Sequence, residues 1–203
     1  MAITQNMINN AKHAEGYVPY MYLDTKSKVT VGYGFMLPTA DSAKTLEFVK
    51  RQGGQKATEA EITTEWQTVS SKGPNSGHHP AHAYKQYTTL DIVNASATPV
   101  LEEKLRASEN ELAHIFHDYY AFPDTVKEAL MDMIYNMGQP TLLHSFPTFI
   151  KFVRNRDWAG AAKESHRRDV QSERNTLVKD LFMTAAKMTQ PEAPPTITLG
   201  QNP

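Results

Sequence analysis

Glu15 closes a short amphipathic run, Asp24 follows nine positions later (24 − 15 = 9), and Thr30 comes six positions after that (30 − 24 = 6). Breaking a glycosidic bond takes a carboxylic acid to protonate the leaving oxygen and usually a second carboxylate to handle water. A nearby hydroxyl can share that water. A helix end facing a hairpin would set Glu15 and Asp24 across a cleft, with Thr30 on the returning strand. On composition alone the triplet decides nothing, because Glu, Asp and Thr are ordinary surface residues.

The elements that must position these groups can be read from periodicity. Met7, Ile8, Ala11 and Ala14 share one helical face, which Gly16 ends. The segment PYMYLDTKSKVTVGYG carries aromatic and β-branched residues on either side of the polar turn Thr25–Lys28, which predicts a β-hairpin. Gly32 and Gly34 flank Tyr33, so the backbone there can bend or come close to a ligand. Asp41 is expected to cap a helix running to about Arg51, closed by Gly53 and Gly54. Thr58 and Glu61 have capping-box spacing for a helix through about Ser70, and the breaker-rich stretch after it reads as loop. Thr98-Pro99 is expected to start a long charged helix to about Asp118. Val126, Leu130, Met133, Ile134 and Met137 then repeat at helical spacing as far as Gly138. Further helices are expected at about 141–154, 157–166 and 173–188, and residues 190–203 form a flexible tail poor in apolar material.

Composition removes several function classes. The 203 residues are 40% hydrophobic and 21% charged, ordinary for a folded protein. Twenty-one basic against 22 acidic residues give a net charge of −1, which offers no field for nucleic acid or an anionic membrane. There is no cysteine, so disulfides and thiolate metal sites are excluded. The first residues lack the basic start and apolar run of a secretory signal, and no stretch approaches the ~20 apolar residues of a membrane span. The expectation is a monomer made in the cytoplasm without a signal peptide and acting elsewhere, with no nucleic-acid partner and no stable membrane insertion.

Residues 15–34, EGYVPYMYLDTKSKVTVGYG, resemble the signature of the T4-type phage lysozymes, the glycoside hydrolase family 24 muramidases. The matching elements are Glu15-Gly16, Tyr22-Leu23-Asp24 and Thr30-Val31-Gly32-Tyr33-Gly34, with the three functional positions spaced as in the family. Later, Tyr135-Asn136-Met137-Gly138, Phe146, Asp157-Trp158 and Ala161-Ala162 look like the family's C-terminal lobe. Ser172-Glu173-Arg174 resembles the helix start that carries an arginine paired with the catalytic glutamate, a match that needs a small gap.

The resemblance implies an α+β, mainly α-helical chain in a lysozyme-like two-lobed fold, with a small β-hairpin lobe and a helical lobe joined by a long helix. It divides residues 1–189 into an N-terminal lobe (1–97, with an insertion at about 38–97), a connecting helix (98–118) and a helical C-terminal lobe (119–189). It implies Glu15 as general acid, Asp24 helped by Thr30 as the group that positions or activates water, and inversion at the anomeric carbon. Tyr33, Gly34, Asn136 and Arg174 would bind substrate. The substrate would be peptidoglycan glycan strands, with no cofactor and no metal, and the site of action would be the periplasm or cell wall of a target bacterium.

Two departures stand out. Phe35 replaces the histidine that follows Gly-x-Gly in the family's T4 member, which bears on stability contacts rather than catalysis. Residues 38–97 replace a much shorter connection in compact relatives. Within them His78, His79 and His82 could suggest zinc, but Pro80 intervenes and no H-E-x-x-H is present, so a solvated loop is the favoured reading. Trp66, Tyr84 and Tyr87 are read as packing before sugar stacking, and Arg167-Arg168 as a solvated face. The competing functions are a lytic transglycosylase on the same fold and a catalytically inactive glycan-binding module. The setting is either a phage endolysin or a bacteriocin or type VI secretion effector, the latter implying an immunity protein as partner.

Overall fold

The computed structural model describes residues 3–73, 79–168 and 170–189. The chain divides into two compact units, Met1–Asn110 and a second beginning at Glu111.

The first unit opens with helix α1 (Gln5–Glu15), started by Thr4, whose hydroxyl accepts from the Met7 N–H at 3.2 Å. Met7, Ile8 and Ala11 form its buried face, and Gly16 closes it in the left-handed region at φ 66°. Strands β1 (Val18–Leu23), β2 (Val29–Gly32) and β3 (Phe35–Met36) form an antiparallel sheet in that order. Its register sets Tyr22 opposite Thr30 and Leu23 opposite Val29. The hairpin turn is held by Asp24, whose Oδ1 accepts from the N–H groups of Lys26 and Lys28, each at 2.8 Å.

The described residues of the span 38–97 are a folded part of this unit. They contain α2 (Ala40–Lys44), β4 (Phe48–Lys50), α3 (Glu59–Ser70), a 3₁₀ segment (Ala81–Tyr87) and β5 (Leu90–Ile92), with β4 and β5 paired antiparallel. The expected helix from Asp41 to Arg51 is corrected: Thr39 caps it and it ends at Lys44. Phe48, Val49 and Lys50 pair with Ile92, Asp91 and Leu90, and this non-local ladder overrides the local helical reading. The predicted capping box at Thr58 and Glu61 is present on both sides. The stretch read as loop after Ser70 contains the 3₁₀ segment, in which Tyr84 is buried.

Polar anchors fasten these residues to the sheet. The Tyr17 hydroxyl donates to Ile92 O at 3.0 Å, and Trp66 Nε1 donates to Leu37 O at 2.9 Å. Arg51 lies over the Tyr20 ring and pairs with Asp91 at 2.8 Å. Buried Glu65 accepts from the N–H groups of Thr89 and Leu90 through Oε2.

Helix α4 (Asn94–Ile115) begins four residues before the predicted Thr98 and runs across the boundary between the units. In the second unit, α5 (Asp124–Ser145) breaks at Gly138, whose φ of 75° and ψ of 159° no helix accommodates. Then come α6 (Pro147–Arg154), α7 (Trp158–Glu164) and α8 (Ser172–Thr189), with α8 packed on α5 and α7. The predicted helix 141–154 is therefore two pieces parted at Phe146. Leu130, Met133, Trp158, Val178 and Phe182 are buried there, and Phe149 meets Phe182 edge-on at 5.5 Å. The expected tail, 190–203, lies outside the described residues. Among the described residues, no helix is long and apolar enough to cross a membrane. The chain is an α+β, mainly helical protein.

Candidate active site

Glu15 is the last residue of α1 and is exposed to solvent. Its position is fixed against the turn between β2 and β3. A Cβ built on Gly34 would stand 3.3 Å from Glu15 Oε2, and Gly34 itself has φ +73°. Glycine therefore serves twice here: it adopts the left-handed turn and leaves room for the carboxylate.

Asp24 follows β1 directly in the hairpin turn, two residues beyond Tyr22, which Thr30 faces across the strands. Asp24 Oδ1 is committed to the turn. Thr30 is 3% exposed and donates to Lys28 O at 3.0 Å, so its oxygen keeps lone pairs to accept from a water. Tyr22, opposite Thr30, links the two carboxylates electrostatically. Burial raises its phenol pKa, and the negative charges of Asp24 and then Glu15 raise it further.

Tyr33, expected among the substrate-binding residues, is largely buried. It is 7% exposed, stacked at 5.0 Å on Tyr17, and its hydroxyl donates to Asn94 Oδ1 at 3.3 Å. The ring builds the core beneath the turn, and burial with the neighbouring Tyr33 and Asp91 pushes the Tyr17 phenol up to about 12.

Lys104, on α4, is a member of this neighbourhood that the sequence did not single out. Its Nζ donates to Gly34 O at 3.4 Å and stands 4.6 Å from the centre of the Phe35 ring. Burial lowers its pKa, and the charge of Glu15 pulls it back up. The residue that replaces the family histidine thus supplies the aromatic face of a cation–π contact.

In the second unit, Asp132 is 8% exposed and takes two arginines. Arg174 Nε donates to Oδ2 at 2.8 Å, and Arg167 Nη2 stands 2.8 Å from Oδ1 as an ion pair. Arg167 also donates to Asn136 Oδ1 at 3.3 Å and to Asn175 Oδ1 at 3.2 Å. Asn136 is exposed and stays presentable to a ligand. Arg167 is 4% exposed, which corrects its reading as a solvated face; burial lowers its pKa and Asp132 opposes that shift. The signal was available in Asp132, a lone carboxylate inside the apolar run Met131–Ile134, which demands a buried cation.

Trp66 and Tyr84 are packing residues, as read from the sequence, and Tyr87 is exposed under Lys72. His79 and His82 are exposed, and His78 lies outside the described residues. Among the described residues no group of His, Asp and Glu is arranged to hold a metal.

A mainly helical fold with a small antiparallel sheet, and a glutamate that ends its first helix, set the class of protein that the comparisons then identify. The phage lysozyme family profile matches residues 12–179, most of the chain and all seven candidate residues, so the chain belongs to that family and is a glycoside hydrolase of the lysozyme kind, with peptidoglycan as substrate. Solved structures agree on the fold. A P22 lysozyme mutant superposes with a TM-score of 0.54 at 16% identity, covering 90% of this chain and 99% of the other. The endolysin of Escherichia coli O157:H7 phage FAHEc1 gives 0.54 at 14% identity, covering 95% and 98%. No curated protein sequence matches the chain.

Proposed function

We propose that the enzyme is an N-acetylmuramidase that cleaves the β-1,4 bond between N-acetylmuramic acid and N-acetylglucosamine with inversion, and so lyses bacteria. The observation that carries this reading is the placement of Glu15 against the Gly34 turn, with Thr30 opposite Tyr22 and Asp24 in the turn of the adjoining hairpin. Glu15 protonates the leaving oxygen. It ends α1, beside the turn that carries Gly34. Asp24, through Oδ2, and Thr30, through its oxygen, hold the attacking water on the opposite face of the sugar. Asn136 and the backbone of Gly34 bind glycan, and Arg174, tied to Asp132, contributes charge. Residues 1–189 act as one muramidase domain, within which 38–97 are an insertion.

The test is turbidity loss of purified cell walls together with NMR of the first-formed anomer. Wild type should clear the suspension and release the α-anomer, whereas Glu15→Gln and Asp24→Asn should do neither. A first-formed β-anomer would mean a retaining mechanism and would overturn the role given to Asp24.

A further inference from the structure

A general acid at Glu15 ends each proton transfer as a carboxylate. The first unit contains a cation placed to answer that charge as it develops. Lys104 is anchored by Gly34 O at 3.4 Å and by the face of Phe35 at 4.6 Å, while Gly34 is the residue whose missing side chain makes room for Glu15 Oε2. The lysine, the turn and the glutamate are thus one contiguous arrangement, reached from α4, the β2–β3 turn and α1. Neither anchor neutralises the ammonium: a carbonyl and an aromatic face accept a cation and leave its charge in place. A lysine partly withdrawn from water exerts a stronger field than one on the surface, because less solvent screens it.

We propose that Lys104 is a positioning residue of the reaction, which holds the Gly34 turn against Glu15 and sets a fixed positive charge beside the carboxylate that proton donation creates. The inference rests on Glu15 being the general acid. Lys104 works on the transition state more than on glycan binding, since the charge it answers exists only once the proton has left. The charged and titratable groups facing Glu15 within this unit include Lys104 from α4 and the Tyr22 phenol from β1.

The experiment compares Lys104→Met, Lys104→Gln and Lys104→Arg with wild type and Glu15→Gln on solubilised glycan strands, separating kcat from KM. Methionine keeps an unbranched stem over Phe35, and glutamine offers a neutral donor to Gly34 O should methionine disturb folding. The expected result is a kcat lower by about tenfold for both neutral variants with KM within about twofold, a fraction of what a general acid contributes. Lys104→Arg should recover most of the loss. Binding of glycan strands should be the same for Glu15→Gln and for Glu15→Gln with Lys104→Met. An unchanged kcat in folded Lys104→Met, a loss confined to KM, or an arginine variant as slow as the neutral ones would overturn the proposal. Activity surviving in Glu15→Gln would instead overturn the assignment of Glu15, and the two failures are distinct.

Discussion

Replacing Gly34 by alanine separates backbone strain from interference with the Glu15 carboxylate, the proposed general acid. Gly34 lies at φ +73°, where an L-residue costs about 1–2 kcal/mol. In a chain of 203 residues, each kcal/mol lowers the melting temperature by about 2–4 °C, so Gly34→Ala should melt roughly 2–8 °C below wild type. Gly54 is the matched control, because it has φ +67° and a methyl added there would meet nothing within 4 Å. Both variants should lose similar stability. Only at Gly34 does the new methyl stand 3.3 Å from Glu15 Oε2, tight enough to displace the carboxylate by a few tenths of an ångström. A 1 Å misplacement can cost about a hundredfold, so a loss of roughly three- to tenfold in kcat is expected. The assay is kcat on soluble glycan strands well below both melting temperatures, with Gly54→Ala expected to match wild type. Equal activity of the two variants would refute the claim that Glu15 is held against this turn.

Asp24→Asn keeps an oxygen for the Lys26 and Lys28 N–H groups, so it should fold with a melting temperature near wild type while losing about a hundredfold or more in kcat. Asp24→Ala also removes the turn acceptor and should cost a further 1–2 kcal/mol or so by denaturant titration, about the penalty of an unmet hydrogen bond. Arg167→Met leaves Asp132 with Arg174 as its one remaining ion-pair partner of the two; breaking a buried pair costs about 3–5 kcal/mol, and calorimetry should show a drop of roughly 6–20 °C. Burial raises the Glu65 pKa above the usual carboxylate value, even though hydrogen bonds from Thr89 and Leu90 pull it down. The folded state therefore binds that proton more tightly than the unfolded chain. The stability this lends is complete below the unfolded value and is lost as pH rises through the raised folded one. Melting temperature against pH should show that decline in wild type and lack it in Glu65→Gln; parallel curves would contradict the linkage.

How much of this was legible beforehand divides by the range of the interactions. Local signals read well: the hairpin around Asp24, the capping box at Thr58 and Glu61, and the break at Gly138 are each set by a few neighbouring residues. The helix expected from Asp41 failed at Phe48, because β4 exists only through pairing with β5, some forty residues away. Glu15, Asp24 and Thr30 were legible as a spaced motif, since the hairpin that joins them is contiguous in sequence. Lys104 was not, because an isolated lysine on a charged helix gives no sign of being partly buried under a glycine turn. The packing of the Tyr33 ring on Tyr17 was equally invisible, because nothing in a tyrosine between two glycines says which ring it meets. Arg167 looked solvated beside Arg168, and only the folded chain sets Asp132 opposite it.

The central claim is that Glu15 drives hydrolysis of the bond on the reducing side of N-acetylmuramic acid. Mass spectrometry of muropeptides released by wild type and by Glu15→Gln, side by side, tests it most directly. The expected outcome is reducing N-acetylmuramic ends from wild type and no release from Glu15→Gln. Anhydro-muramic ends, reducing N-acetylglucosamine ends, or full release by Glu15→Gln would contradict it.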